Sequence, residues 1–217
     1  MPQTPDIKFI TILKTLVENR VEFILVGGVA AALQGAPLNT FDVDVVHRRT
    51  QENIARLMQA MELLEAHYRH PPDRNLRPGP SHLSSVGPQL LITKFGPLDV
   101  LGMIGNNHEY DDLFIHAEPM NLGEGTQIMV LSLPLLIQSK EEVGHPKGQA
   151  TLGILREKLS VENARHKQTA AITSEPQPHG RYPFLARHNC CPSGKPANRC
   201  IPWDLAALSR TPPRAIH

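Results

Sequence analysis

Cysteine is scarce in this 217-residue sequence, and its three copies, Cys190, Cys191 and Cys200, all fall close to the C-terminal end. An odd count without a secretory start argues against a disulfide framework. With His188 the three could supply four zinc ligands. However, two adjacent cysteines and then an eight-residue gap lack the paired C-x-x-C spacing of zinc modules, so reduced, unpaired thiols are the expectation. No stretch reaches the ~18 uninterrupted apolar residues that a membrane-spanning helix needs, and the N-terminal region holds no basic start followed by a long apolar run. A cytoplasmic protein without a membrane partner is expected. None of the 11 histidines sits in an H-E-x-x-H or related metal spacing. No internal repeat is visible.

Net charge of one sign is also lacking overall, at +1, but this conceals an asymmetry. Residues 160–217 hold 8 Lys+Arg against 3 Asp+Glu, which leaves 14 against 18 for residues 1–159. A net-acidic body does not attract anions through its global field, so an anionic substrate would have to be held by metal ions and local basic groups. Eight prolines and no sustained apolar period in residues 160–217 predict a basic, disordered tail behind one folded domain over residues 1–159.

Within that domain, apolar residues at Ile7, Ile10, Leu13, Leu16 and Val17 have helical spacing after Pro5-Asp6. Phe23 to Val26 is a compact apolar run that enters Gly27-Gly28, and an alanine-rich stretch then ends at Gly35-Ala36-Pro37, which reads as strand, tight turn, short helix and breaker. From Phe41 to Val46 the residues alternate, with Asp42, Asp44 and Val46 on one side of a second strand. Thr50 caps a helix whose face is Ile54, Leu57, Met58, Met61 and Leu64. Residues 71–88 read as a long surface loop, followed by strands at Leu90–Thr93 and Leu98–Ile104 and a short one at Thr126–Val130. Ser132 is the expected cap of a helix running to Gly144, and a last helix covers Gln149–Leu159. The fold class is α/β (α+β), a mixed sheet flanked by helices.

The chemistry lies in Val26-Gly27-Gly28, thirteen residues, and then Asp42-Val43-Asp44. Glycines at a strand-helix junction let backbone approach phosphate oxygens closely. Carboxylates two apart on a strand point the same way, with Cα atoms roughly 6.6 Å apart, so both can reach one pair of divalent ions. Asp99 lies in the apolar strand Leu98-Asp99-Val100-Leu101, where a buried unpaired carboxylate would cost several kcal/mol and so calls for a metal, a cation or water. Taken singly, each feature has a plain structural explanation: a turn, the wet face of an edge strand, a paired acid. Their order and contexts together point to a site.

Gly27-Gly28, Asp42-x-Asp44 and Asp99 resemble the pattern of the DNA polymerase beta superfamily of nucleotidyltransferases. The stretches Phe23-Ile24-Leu25-Val26-Gly27-Gly28-Val29-Ala30, Thr40-Phe41-Asp42-Val43-Asp44 and Gly96-Pro97-Leu98-Asp99-Val100-Leu101-Gly102 are similar to its minimal bacterial branch, often grouped with abortive-infection or toxin and antitoxin nucleotidyltransferases. The resemblance covers about residues 5–159. It implies Mg²⁺ or Mn²⁺ on Asp42, Asp44 and Asp99 as metal ligands and catalytic groups. It also implies an NTP donor held by Gly27, Gly28 and Thr40, transfer of a nucleoside monophosphate to RNA (tRNA among the candidates) or protein, and an antitoxin partner. Leu136-Ile137-Gln138-Ser139-Lys140 is similar to a family helix whose lysine faces the nucleotide phosphates, which assigns Lys140 to the nucleotide. The chain departs from the pattern at Leu38, where an arginine is common, and at His145 and Gly148 in His145-Pro146-Lys147-Gly148, where relatives carry Arg-Pro-Lys-Asp. Elsewhere His47, Arg48 and Arg49 read as a solvated loop leaving the acidic strand, His67 and His70 as partners of helix-end carbonyls, and Arg69, Arg74 and Arg77 as loop residues that could guide an RNA acceptor.

Overall fold

Along the chain the elements are α1 (Phe9–Glu18), β1 (Phe23–Val26), α2 (Gly27–Leu33), β2 (Val43–His47), α3 (Gln51–Leu63), β3 (His67–Tyr68), α4 (Pro80–Leu83), β4 (Gln89–Thr93), β5 (Gly96–Leu101), α5 (Tyr110–Phe114), β6 (Ala117–Asn121), β7 (Gln127–Leu131), α6 (Leu133–Val143) and α7 (Pro146–Thr173). The structure, a computed structural model, describes residues 8–40, 42–71, 74–144 and 146–173. The expected helix start at Pro5-Asp6, residue Ile7, the Phe41 and His145 positions, and the His188, Cys190, Cys191 and Cys200 group lie outside the described residues.

All four side chains of β1 are buried, as a contiguous apolar run requires when a strand is covered on both faces. It lies inside a seven-stranded sheet of order β3-β4-β5-β2-β1-β7-β6. The sheet is mixed: β1 runs parallel to β7 and β2 parallel to β5, while β1–β2, β3–β4, β4–β5 and β6–β7 are antiparallel. Helices flank it, α1 and α4 packing on α3, and α2 and α7 on α6. The core gathers Ile12, Leu13 and Leu16 of α1, Leu57 of α3, Leu98 of β5 and Leu136 of α6, all at most 1% exposed.

Local signals act as their chemistry dictates. The Thr50 side chain accepts a hydrogen bond from the Asn53 amide at 3.3 Å, and Ile54, Leu57, Met61 and Leu64 form the buried face of α3 and its end. Ser132 occupies the N-cap position of α6 without a side-chain capping bond, and Gly144 ends that helix with φ +62°. The segment expected to be a long loop, 71–88, is tied down by α4, whose Leu83 is fully buried. Helix α7 begins at Pro146 and runs to Thr173, beyond the expected end at Leu159.

His47 corrects the solvated-loop expectation for residues 47–49. It is the last residue of β2, only 1% exposed, with Nδ1 facing the Leu101 carbonyl at 3.0 Å and Nε2 facing the Leu83 carbonyl at 2.8 Å. The neutral ring has one N–H and donates to one of these carbonyls, while its body packs between the end of β2, β5 and α4. Burial lowers its pKa, outweighing the opposite pull of the two carbonyls. Arg48 pairs with Asp111 and Glu22, and Arg49 with Glu109, so both serve local ion pairs. Truncating His47 to alanine would open a cavity and leave a carbonyl without its donor. A loss of about 2–4 kcal/mol is expected in urea denaturation.

Candidate active site

Sheet register builds the site. Val26 of β1 is the Cα partner of Asp44 on β2, Asp44 is the partner of Asp99 on β5, and Asp99 is the partner of Leu90 on β4. Residues partnered across neighbouring strands share a face and stand about 4.8 Å apart, so Asp44 and Asp99 emerge side by side. Asp42, two residues before Asp44, joins them. One carboxylate oxygen from each of Asp42, Asp44 and Asp99 lies within 4.8 Å of the others.

This crowding has an electrostatic consequence. Burial, and then the charge of Asp42, push the Asp44 carboxyl up from 3.8 to about 7; Lys140, the Gly28 amide and Arg69 act in the opposite direction. Lys140, on α6, is therefore within electrostatic reach of the acidic cluster. Asp99 is 8% exposed, and a guanidinium reaches it: Arg69 Nη2 is in ion-pair contact with Asp99 Oδ1. Neither atom has a hydrogen bond of regular geometry, so the ion pair is what answers their burial.

The glycine pair shapes the floor. Gly27 has φ +68°, a left-handed conformation that favours glycine, and a Cβ there would lie 1.9 Å from Asp44 Oδ2. The Gly28 amide is hydrogen-bonded to the Asp44 carboxylate. A Cβ on Gly28 would lie 2.6 Å from Thr40 Oγ1, and that hydroxyl is 3.4 Å from both the carbonyl and the Oδ1 of Asp42. Gly27, Gly28 and Thr40 thus pack directly against the acidic pair.

Donor chemistry fits a hard divalent cation: three carboxylates converge, burial and then the Asp42 charge hold the Asp44 proton on toward neutral pH, and a metal ion could replace that proton. Arg74 and Arg77 are exposed, and Arg69 is the member of that trio which joins the site. Sequence reasoning missed this because Arg69 follows β3, a two-residue strand too short to carry a pattern. A groove of about 530 Å³ between α3 and α4, lined by Arg49, Ile54, Met58 and Pro80 among others, includes none of the three aspartates.

No family model matches the chain, and no curated protein matches it. Solved structures that match include a Thermotoga maritima protein provisionally described as a nucleotidyltransferase. The two are 19% identical, the match covers 69% of this chain and 89% of that one, and the TM-score is 0.44.

Proposed function

We propose that this chain is a metal-dependent nucleotidyltransferase that moves a nucleoside monophosphate from an NTP to a hydroxyl of an RNA or protein acceptor. The observation that carries the reading is the convergence of Asp42, Asp44 and Asp99 over the Gly27-Gly28 turn, with Lys140 in electrostatic reach. Bound Mg²⁺ or Mn²⁺ would neutralise charge on the attacking and leaving oxygens.

The chain's own residues divide the remaining tasks. Asp42, Asp44 and Asp99 would hold the ions, and in this reading Asp99 would also help take the proton of the acceptor hydroxyl. Lys140 meets the triphosphate charge. Gly27 and Gly28 would let the donor approach the carboxylates without an intervening side chain, and Thr40 would offer it a hydroxyl beside Asp42. In the reaction a bond forms between the acceptor oxygen and the α-phosphorus, and the bond from that phosphorus to the bridging oxygen breaks. Pyrophosphate leaves, and catalysis is positioning plus charge stabilisation.

In this reading residues 1–159 carry the function and residues 160–217 are an appendage. The setting is cytoplasmic, within a toxin-antitoxin or phage-defence system, with tRNA the first acceptor to try. No helix among the described residues is long and apolar enough to cross a membrane.

The test is incubation of the purified protein, and of Asp42→Asn/Asp44→Asn beside it, with each α-labelled NTP, Mg²⁺ or Mn²⁺, total tRNA and cell lysate. Label on one macromolecule with the parent alone is the expected result. A second reading, a nucleotide-sensing module without turnover, is favoured by the Arg69 contact to Asp99 and by Leu38 in place of an arginine. Metal-dependent NTP binding with no label on any acceptor would select it.

A further inference from the structure

Arg69 belongs to the same row of the sheet as the acidic cluster. Its amide donates to the Leu90 carbonyl at 3.1 Å, Leu90 is the partner of Asp99, and Asp99 is the partner of Asp44. Arg69 thus stands two strands from Asp99, about 10 Å between Cα atoms, a gap that an arginine and an aspartate side chain close between them. The guanidinium is held at its root, because Nε donates to the Leu91 carbonyl at 3.0 Å while Nη2 meets Asp99 Oδ1. The contact is well enclosed, with the Arg69 side chain 27% and the Asp99 side chain 12% exposed.

A carboxylate oxygen that carries a guanidinium at contact has its lone pairs on that side engaged. A second cation arriving there meets a positive charge that surrounding protein screens less than water would. Together with Lys140, the arginine also offsets repulsion among the three carboxylates.

We propose that Arg69 is a positioning residue of the acidic site: it is the built-in counter-cation of Asp99, and a divalent ion has to take that carboxylate from it. The proposal rests on the reading of Asp42, Asp44 and Asp99 as metal ligands. Arg69 sets the concentration of metal at which the site fills, and its Nε anchor on Leu91 keeps the displaced guanidinium at the edge of the site.

The experiment is Mn²⁺ binding to the full chain without nucleotide, followed by electron paramagnetic resonance, for the parent, Arg69→Gln, Arg69→Lys, Asp44→Asn and Asp99→Asn. Thermal unfolding in chelator and in Mn²⁺ runs beside it. Arg69→Gln is expected to tighten Mn²⁺ by about tenfold, to lower the unfolding midpoint in chelator and to enlarge the rise that Mn²⁺ produces. Lysine keeps the charge, but a compact ammonium cannot bond the Leu91 carbonyl and Asp99 in the same fork geometry. Arg69→Lys should therefore recover most of the tightening, whereas parent-like affinity would reduce Arg69 to a general field and overturn the proposal. In the Asp99→Asn background Arg69→Gln should no longer tighten Mn²⁺. If Asp44→Asn weakens Mn²⁺ binding but Arg69→Gln leaves it unchanged or weaker, this proposal alone falls. If Mn²⁺ binding to the parent ignores Asp44 and Asp99, the metal-site reading falls with it.

Discussion

Asp44→Asn is expected to cut label transfer by about a thousandfold or more, the scale on which loss of one preorganised charge acts, while making the metal-free protein more stable at about pH 8. The two effects have one cause. Burial and the neighbouring Asp42 charge push the Asp44 carboxyl from 3.8 to about 7. The unfolded chain therefore releases this proton near 3.8 and the folded chain only near 7. Stability from this group is full below the lower value, falls as pH rises through the window and is flat above it. Asparagine cannot ionise, yet its side-chain oxygen still accepts from the Gly28 amide. In chelator at about pH 8 the variant should gain on the order of 1–3 kcal/mol, or about 2–4 °C in midpoint for each kcal/mol, and at about pH 3 the difference should vanish. In the parent, a cation needs the ionised carboxylate, so Mn²⁺ affinity should fall about tenfold per pH unit below 7, with a proton released on uptake. Thermal unfolding in chelator and calorimetric Mn²⁺ titrations in buffers of different ionisation enthalpy check both. A variant less stable than the parent at about pH 8 would make the Asp44 carboxylate a structural acceptor rather than a strained ligand.

The acidic cluster was legible because each member sits in a pattern that one strand can state alone. Asp42 and Asp44 alternate with Val43 and Val45, and Asp99 interrupts an apolar run. Arg69 was not legible as their neighbour, since its place depends on the register of β3 on β4 and of β4 on β5, and no local pattern encodes register. His47 misled for a related reason. A histidine followed by two arginines reads as the start of a loop, yet the Leu83 and Leu101 carbonyls that draw the ring inward come from 36 and 54 residues away. Strand β6 was hidden by its own composition: Ala117-Glu118-Pro119-Met120-Asn121 is an exposed edge that pairs with β7 alone, where proline is tolerated and alternation is not enforced. Helices α4 and α5 are too short, at 4 and 5 residues, to show a period, and burial of Leu83 in one and of Tyr110 and Leu113 in the other helps to fasten them.

The glycine pair gives the sharpest contrast between neighbouring positions. Gly27→Ala is expected to cost about 2–4 kcal/mol and to abolish Mn²⁺ binding, because two independent penalties meet there. A left-handed φ of +68° disfavours any Cβ, and that Cβ would sit 1.9 Å from Asp44 Oδ2, a metal ligand in the proposed site. Relief by turning Asp44 away would break its bond to the Gly28 amide and carry the carboxylate off the row it shares with Asp99. Gly28→Ala meets a softer obstacle. Its Cβ would lie 2.6 Å from Thr40 Oγ1, the end of a side chain that can rotate, and Gly28 has no left-handed φ. That approach is expected to cost about 1 kcal/mol net and a moderate loss of affinity, the cost being kept small because alanine has the better helix propensity. Gly28→Ala/Thr40→Ala should restore the stability lost in Gly28→Ala, and no comparable change at Asp44 can rescue Gly27→Ala without removing a ligand. Urea denaturation and Mn²⁺ titration of the three variants decide the matter. Equal losses at the two glycines would mean that the turn is needed for its backbone shape alone, whereas the predicted inequality ties Gly27 to the space that the Asp44 carboxylate occupies.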